Sequence, residues 1–295
     1  MRIGIIGTGR MGAAIAQRLL DCGHELTVWN RSREKTLPLK ERGATVAATP
    51  ADLVGHCDLV ISILTDAGAI EQAYGGEQGV LGASIGGKLF VEMSTVRPST
   101  ETALNQKMIA RGATLIDCPV GGTVGPARDG KLLGLVGGGE TDVARARPVL
   151  EQMCRRIEHV GPVGSGASLK LAINLPLLVF WQSLGEALSL AAPLHLDPAR
   201  LVDIFADSSG GANVLKGRGP ALAALLAGGK AGAASFNVDS IRKDMRTMQE
   251  EARALGRELP VTSAALQCFD RAAEEGLGNA DGTNLPAWWL TASAD

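Results

Sequence analysis

From Arg2 onward the chain alternates short unbroken apolar runs with longer segments whose apolar residues recur at helical spacing. The runs Arg2–Ile6, Glu25–Trp29, Leu59–Leu64, Lys88–Met93, Thr114–Ile116 and Gly134–Val136 are rich in Ile, Val and Leu. They mostly lack the polar alternation of a half-exposed strand, which predicts strands buried on both faces of a parallel sheet. Met11–Cys22 reads as the helix between the first two, closed by Gly23 in the C′ position. Strand and helix in alternation predict a doubly wound α/β domain.

After about Gly161 the strand pattern stops. Leu169–Leu194, Pro198–Asp207, Pro220–Leu226, Ser240–Leu255 and Thr262–Glu275 all read as helices, and Asp197 followed by Pro198 is a strong start signal. The pattern therefore predicts an α/β domain over residues 1–162 and an all-helical one over 163–295, divided near "VGPVGSG". A length of 295 residues agrees with two domains.

Composition adds limits. Apolar residues make up 45% and charged residues 20%, as in a soluble protein with a large core. Aromatics are only 3%, so that core is aliphatic. The net charge of −2, with no basic stripe interleaved with aromatics, argues against a nucleic-acid partner. Cys22, Cys57, Cys118, Cys154 and Cys268 are scattered, with no CxxC pair and no metal spacing, and read as reduced thiols of a cytoplasmic protein. Met-Arg followed at once by a strand leaves no room for a signal peptide. The most apolar stretch, Leu169–Leu194, carries Lys170, Asn174, Gln182 and Glu186. It is expected to be a long helix buried in protein rather than a membrane span.

"RIGIIGTGRMG" sets Gly7, Gly9 and Gly12 in GxGxxG spacing, after the first strand and at the opening of the first helix. In that context the glycines favour a dinucleotide loop, where backbone approaches a pyrophosphate at a helix N-terminus; the plain alternative is a glycine-rich turn. The second strand ends in "WNRSREK". Where a carboxylate would select NAD, this chain has neutral Asn30 followed by Arg31, Ser32 and Arg33, which favours the 2′-phosphate of NADP(H) over a merely solvated basic turn. Leu64 and Thr65, and likewise Ser94 and Thr95, lie just past strand ends, at the edge where such sheets bind ligands; ordinary loop chemistry explains them equally well. Gly121 and Gly122 in "DCPVGGTVGPARDGKLLGLVGGG" would let amides approach an anion beside the Thr123 hydroxyl. In "GSGASLKLAINLPLLVF", Lys170 and Asn174 are four apart and share one helix face. A lysine in so apolar a setting needs a partner or a task.

Taken in order, these stretches resemble the β-hydroxyacid dehydrogenase family, which includes 3-hydroxyisobutyrate dehydrogenases and tartronate semialdehyde reductases. "GTGRMG" matches the cofactor loop, "DCPVGGTVGPA" is similar to DxPVSGGxxxA, "GSGASLKLAIN" matches GxGxxxKxxxN, and "RKDM" matches a later KDL motif. The resemblance implies a Rossmann-type domain, a long interdomain helix, and a helical domain that packs into homodimers or homotetramers. It implies Lys170 as general acid or base and Asn174 as the orienting amide. It also implies cofactor contacts from Gly7, Gly9, Arg10, Met11, Gly12, Asn30, Arg31, Ser32, Leu64, Thr65, Thr95 and Lys243. Ser94, Gly121, Gly122 and Thr123 are then expected around a small-molecule substrate, a 3-hydroxy acid or the matching semialdehyde. Gly121-Gly122-Thr123 departs from the usual Ser-Gly-Gly and lacks the serine hydroxyl that holds a substrate carboxylate. "NLPAWW" departs as well, with Trp288 and Trp289 either packing or lining a less polar pocket. Imine reductases share the architecture but usually lack the lysine; they, and a cofactor-sensing protein without turnover, are the alternatives.

Overall fold

The computed structural model describes residues 1–230 and 232–292. The chain divides into two compact units, Met1–Leu171 and Ala172–Asp295. The first contains nine strands: β1 (Arg2–Ile6), β2 (Glu25–Trp29), β3 (Thr45–Val46), β4 (Leu59–Ser62), β5 (Leu89–Glu92), β6 (Thr114–Asp117), β7 (Val120–Gly121), β8 (Leu132–Gly137) and β9 (Cys154–Gly161). Their order is β3-β2-β1-β4-β5-β6-β8-β7, with β9 also paired to β8.

The parallel sheet expected from the apolar runs is present over β1–β6. Beyond β6 it departs from that expectation, because β8 runs antiparallel to both β6 and β7. The helices of this unit are α1 (Arg10–Asp21), α2 (Leu37–Glu41), α3 (Pro50–Gly55), α4 (Ala67–Tyr74), α5 (Pro98–Ile109), α6 (Val124–Arg128) and α7 (Glu140–Met153). Successive strand residues face opposite sides. Ile3, Ile5, Ile61 and Val91 accordingly join Ile15, Leu19 and Leu150 in one core, while Ile6, Val60 and Phe90 join Tyr74 and Met108 in the other. Gly23 ends α1 at φ +83°. Its N–H bonds Leu20 and that of His24 bonds Leu19, which satisfies the last carbonyls of the helix.

The register places one polar row across the sheet. Ile6 pairs with Ser62, Ser62 with Glu92, Glu92 with Asp117, and Asp117 with Gly137. Ser62, Glu92 and Asp117 are wholly buried. Each ends its strand, so the row lies at the carboxyl edge, where ligands approach sheets of this kind.

A long helix, α8 (Ser165–Ala191), crosses from the first unit into the second. It is followed by α9 (Pro198–Asp207), α10 (Val214–Leu226), α11 (Val238–Ala254), α12 (Pro260–Ala272) and α13 (Asn284–Ala292). Asp197 caps α9 through the Arg200 N–H at 3.0 Å, and Asn237 caps α11 through that of Ser240 at 3.1 Å.

In α8 the leucines Leu178, Leu184 and Leu188 are buried with Trp181, yet Ile173 is 41% and Leu190 86% exposed. The expected long helix buried in protein is therefore buried in part: apolar content alone does not say which face is covered. By length and composition Ser165–Leu194 also reaches what a membrane span requires, despite Lys170, Asn174, Gln182 and Glu186. Two of those, Asn174 and Gln182, are buried within protein.

Candidate active site

The loop between β1 and α1 uses its glycines for different reasons. Gly7 sits at φ +96°, and a Cβ there would lie 2.3 Å from the Ile63 carbonyl oxygen. A Cβ on Gly12 would lie 1.9 Å from the Gly7 carbonyl oxygen. Packing therefore demands both. Gly9 has an ordinary φ of −66° and nothing within 4 Å of the Cβ it lacks. A side chain there would fill only the space in front of the loop. α1 has no acidic residue in its first turn and no side-chain cap. Uncapped amides, the positive helix end and an open approach fit a pyrophosphate. Arg10 is exposed beside this opening, and Met11 is half-buried against the core.

Asn30 faces the same loop. Its Oδ1 accepts the Thr8 N–H at 3.0 Å, and its Nδ2 donates to the Ser32 carbonyl at 2.9 Å. The residue thus ties the glycine loop to the turn after β2. Arg31 is exposed and donates to Gln72 of α4 at 3.1 Å, while Ser32 leads into a 3₁₀ turn without capping it.

Leu64, Thr65, Ser94 and Thr95 occupy the expected edge. Ser94, read from sequence as a substrate contact, turns its hydroxyl inward. It is 1% exposed, donates to Glu92 at 2.5 Å and accepts the Leu64 N–H at 2.8 Å. Its own N–H also bonds Glu92, at 2.7 Å. Ser94 therefore joins the loops after β4 and β5 to a buried carboxylate. Glu92 further accepts from Ser62, which lies 2.8 Å from the Tyr74 hydroxyl. Glu101 of α5 has no polar partner among the described residues other than Glu92. Burial pushes both carboxyls up, and the neighbouring Glu92 charge raises Glu101 well above the usual range. Two carboxyls so placed resist ionising together.

Gly122 requires its glycine, with φ at +127° and a Cβ position 2.8 Å from Leu132 Cδ2. Gly121 does not, because its Cβ would meet Leu133 at an ordinary 3.5 Å. Thr123 opens α6 with no cap bond from its hydroxyl. On α8, Lys170 is half-buried. Asn174, one turn on, is 5% exposed and donates to Asp244 Oδ2 at 3.3 Å. Lys243 Nζ lies 2.5 Å from Asp244 Oδ1, so one buried carboxylate holds both Asn174 and Lys243.

Glu92, Glu101 and Asp117 of the first unit and Asp244 of the second went unassigned in the sequence. Asp244 stood only as part of "RKDM". Asp117 closes the apolar run "TLID" and accepts the Gly164 and Ala167 amides at 2.7 and 2.8 Å. Trp288 and Trp289 pack within the helical unit: the Arg271 guanidinium lies 5.4 and 5.8 Å from their ring centres, and Trp288 donates to Glu275 at 2.7 Å.

Residues 2–161 match the family described as the NAD binding domain of 6-phosphogluconate dehydrogenase. Residues 164–289 match that described as NAD-binding of NADP-dependent 3-hydroxyisobutyrate dehydrogenase. The chain is 34% identical to 3-hydroxyisobutyrate dehydrogenase of Pseudomonas aeruginosa, over 92% of each chain. It is 32% identical to glyoxylate/succinic semialdehyde reductase 1 of Arabidopsis thaliana, over 95% of this chain and 96% of that one. Among solved structures, Psf3 in complex with NADP+ and 2-OPP superposes with a TM-score of 0.86 at 26% identity, covering 99% of this chain and 100% of the other. The glycine loop, the carboxyl-edge residues and the lysine-bearing helix thus stand in a chain whose relatives span nearly all of its length: it belongs to the β-hydroxyacid dehydrogenase family, oxidoreductases that bind a nicotinamide cofactor and act on small molecules.

Proposed function

We propose that the protein is an NADP(H)-dependent dehydrogenase or reductase of a small 3-hydroxy acid or its semialdehyde, with Lys170 as the proton-transferring group. When bound, the nicotinamide supplies or takes the hydride. In reduction Lys170 gives a proton from Nζ to the oxygen on which negative charge develops, and in oxidation it takes that proton back. Lys170 is half-buried on α8, and a positioned amine can serve as general acid or base. Asn174 presents its amide one helical turn later, oriented by Asp244, and Lys243 is held by the same carboxylate as a cofactor contact. The observation that carries this reading is the Asn174–Asp244–Lys243 chain, which starts on the helix that bears Lys170 and continues on α11.

Preference for NADP(H) rests on the end of β2. Neutral Asn30 spends its amide inside the loop, no carboxylate occupies that position, and the Arg31 guanidinium is exposed beside it. Gly121, Gly122 and Thr123 are the proposed substrate turn, with Ser94 supporting the loops rather than touching substrate. Exposed Ile173, Leu190 and Leu194 suit a homodimer or homotetramer that covers them, and five free cysteines suit the cytoplasm. The test is a panel of 3-hydroxy acids, semialdehydes and cyclic imines assayed with NADPH and NADH. Turnover of a hydroxy acid or semialdehyde with NADPH favoured is expected; a preference for NADH, or turnover of imines alone, would overturn the reading.

A further inference from the structure

α8 begins without a cap of its own. The first N–H groups of any helix lack partners inside it, and a side chain just before the helix usually supplies one. Here that position is Gly164, at φ +96°, which has no side chain to offer. The acceptor comes from 47 residues earlier instead. Asp117 Oδ1 accepts the Gly164 N–H at 2.7 Å and Oδ2 accepts that of Ala167 at 2.8 Å, so both carboxylate oxygens are committed to one helical turn.

The seat of this carboxylate is built from glycines. A Cβ on Gly137, its register partner on β8, would lie 2.2 Å from Oδ1. A Cβ on Gly166 would lie 2.8 Å from Oδ2 and 2.2 Å from the Leu135 carbonyl oxygen. The glycines of "GSG" thus serve the docking of the helix start on the sheet. Lys170 leaves the same helix three residues after Ala167, about 4.5 Å along its axis. A shift of the first turn carries Lys170 with it.

We propose that Asp117 is the positioning residue for Lys170: its carboxylate, locked between β6 and the first turn of α8, fixes the direction in which the lysine projects. This rests on the reading of Lys170 as the proton donor. A carboxylate at this end also offsets the positive pole of the helix. The titratable groups facing Asp117 are Glu92 across β5, Glu101 from α5 and the adjacent Cys118, with Gly137 opposite on β8. Burial raises the Asp117 carboxyl to about 6, even though amides of the helix start hold it down.

The test is a cycle of four enzymes: wild type, Asp117→Asn, Lys170→Ala and the double variant. Asparagine keeps one acceptor and turns its NH₂ toward an amide. Asp117→Asn should lower kcat at least about tenfold, the scale of a small misplacement of a reacting group, with NADPH affinity within about twofold. In the Lys170→Ala background the same change should alter kcat by less than about twofold. It should also move the lysine limb of the pH–rate profile to lower pH by about half a unit or more, since a nearby negative charge is gone. Equal losses in both backgrounds, or an unmoved limb, would show a merely structural Asp117 and overturn the proposal. A Lys170→Ala enzyme near wild type would instead remove the lysine mechanism, and the proposal with it. Should the Asp117 variants not fold, wild-type NMR decides: the Gly164 and Ala167 amides should titrate together with a midpoint near about 6, and flat amide shifts would overturn it.

Discussion

Asp281 in the helical unit and Asp117 at the sheet edge are both nearly out of water, yet their carboxyls move in opposite directions. At Asp281 burial opposes ionisation but is outweighed, and the group falls to about 2. The Arg218 guanidinium lies 3.0 Å away. N–H groups of Ser235, Phe236 and Thr283 and the hydroxyls of Ser235 and Thr283 complete the set. That carboxylate is over-satisfied and pins the segment before α11 to the segment before α13. At the sheet edge Asp117 rises to about 6, and Glu92 and Glu101 rise with it. These acids are answered by amides, hydroxyls and each other. A carboxylate held against its solvation is weak ground for stability and a sign of function. The contrast separates a residue that holds a fold from residues that hold a site.

The largest effect that can break this contrast is expected at the hub. Asp281→Ala strands Arg218 and several N–H groups, and should destabilise the protein by about 3–5 kcal/mol in chemical denaturation. A loss below about 1 kcal/mol would mean that the hub is ornamental. Arg31→Ala should leave stability unchanged and lower kcat/KM for NADPH relative to NADH by at least about tenfold, as expected for one charge-assisted phosphate contact. An unchanged ratio would move cofactor selection elsewhere.

Smaller, but of diagnostic sign, is the pH dependence of stability. Glu101 binds its proton more tightly folded than unfolded, so its contribution is complete below the ordinary 4.5 and is lost as pH rises toward its raised folded value. Asp281 contributes above 3.8 and loses that contribution as pH falls toward about 2. Glu101→Gln, which mimics the protonated acid, should therefore gain on wild type as pH rises, by about 2 °C or more in Tm. A gain on the acid side instead would reverse our assignment of the proton. The smallest structural effect belongs to Gly121→Ser. It should fold within about 0.5 kcal/mol of wild type, because its Cβ meets only ordinary contact. If this turn binds substrate, it should lower KM for carboxylate substrates, and an unmoved KM would place the carboxylate elsewhere.

Apolar runs marked β1, β2, β4, β5, β6 and, in part, β8, because strands buried on both faces repeat one signal. β9 escaped because "CRRIEHVG" is half-exposed and its charges mask the pattern. β3 and β7 are two residues each, below the length at which a pattern exists. The glycine loop was legible because its requirements are local. The acids were not. Glu92, like Ser62, lies inside an apolar run and Asp117 just past one, and only strand order, a long-range property, sets the three side by side. Ser94 was misdirected for the same reason: its place past a strand end pointed to a ligand, while the fold turned it onto Glu92. Asp117 and the helix start it holds are far apart in sequence, so no local reading joins them.

The central claim is that Lys170 moves the proton, and steady-state kinetics of Lys170→Ala with the best substrate, beside NADPH titration of the same variant, tests it most directly. The account predicts kcat lowered by about 10²–10⁴-fold with NADPH affinity retained. A kcat within about threefold of wild type, well below the ordinary worth of a positioned acid, would contradict it.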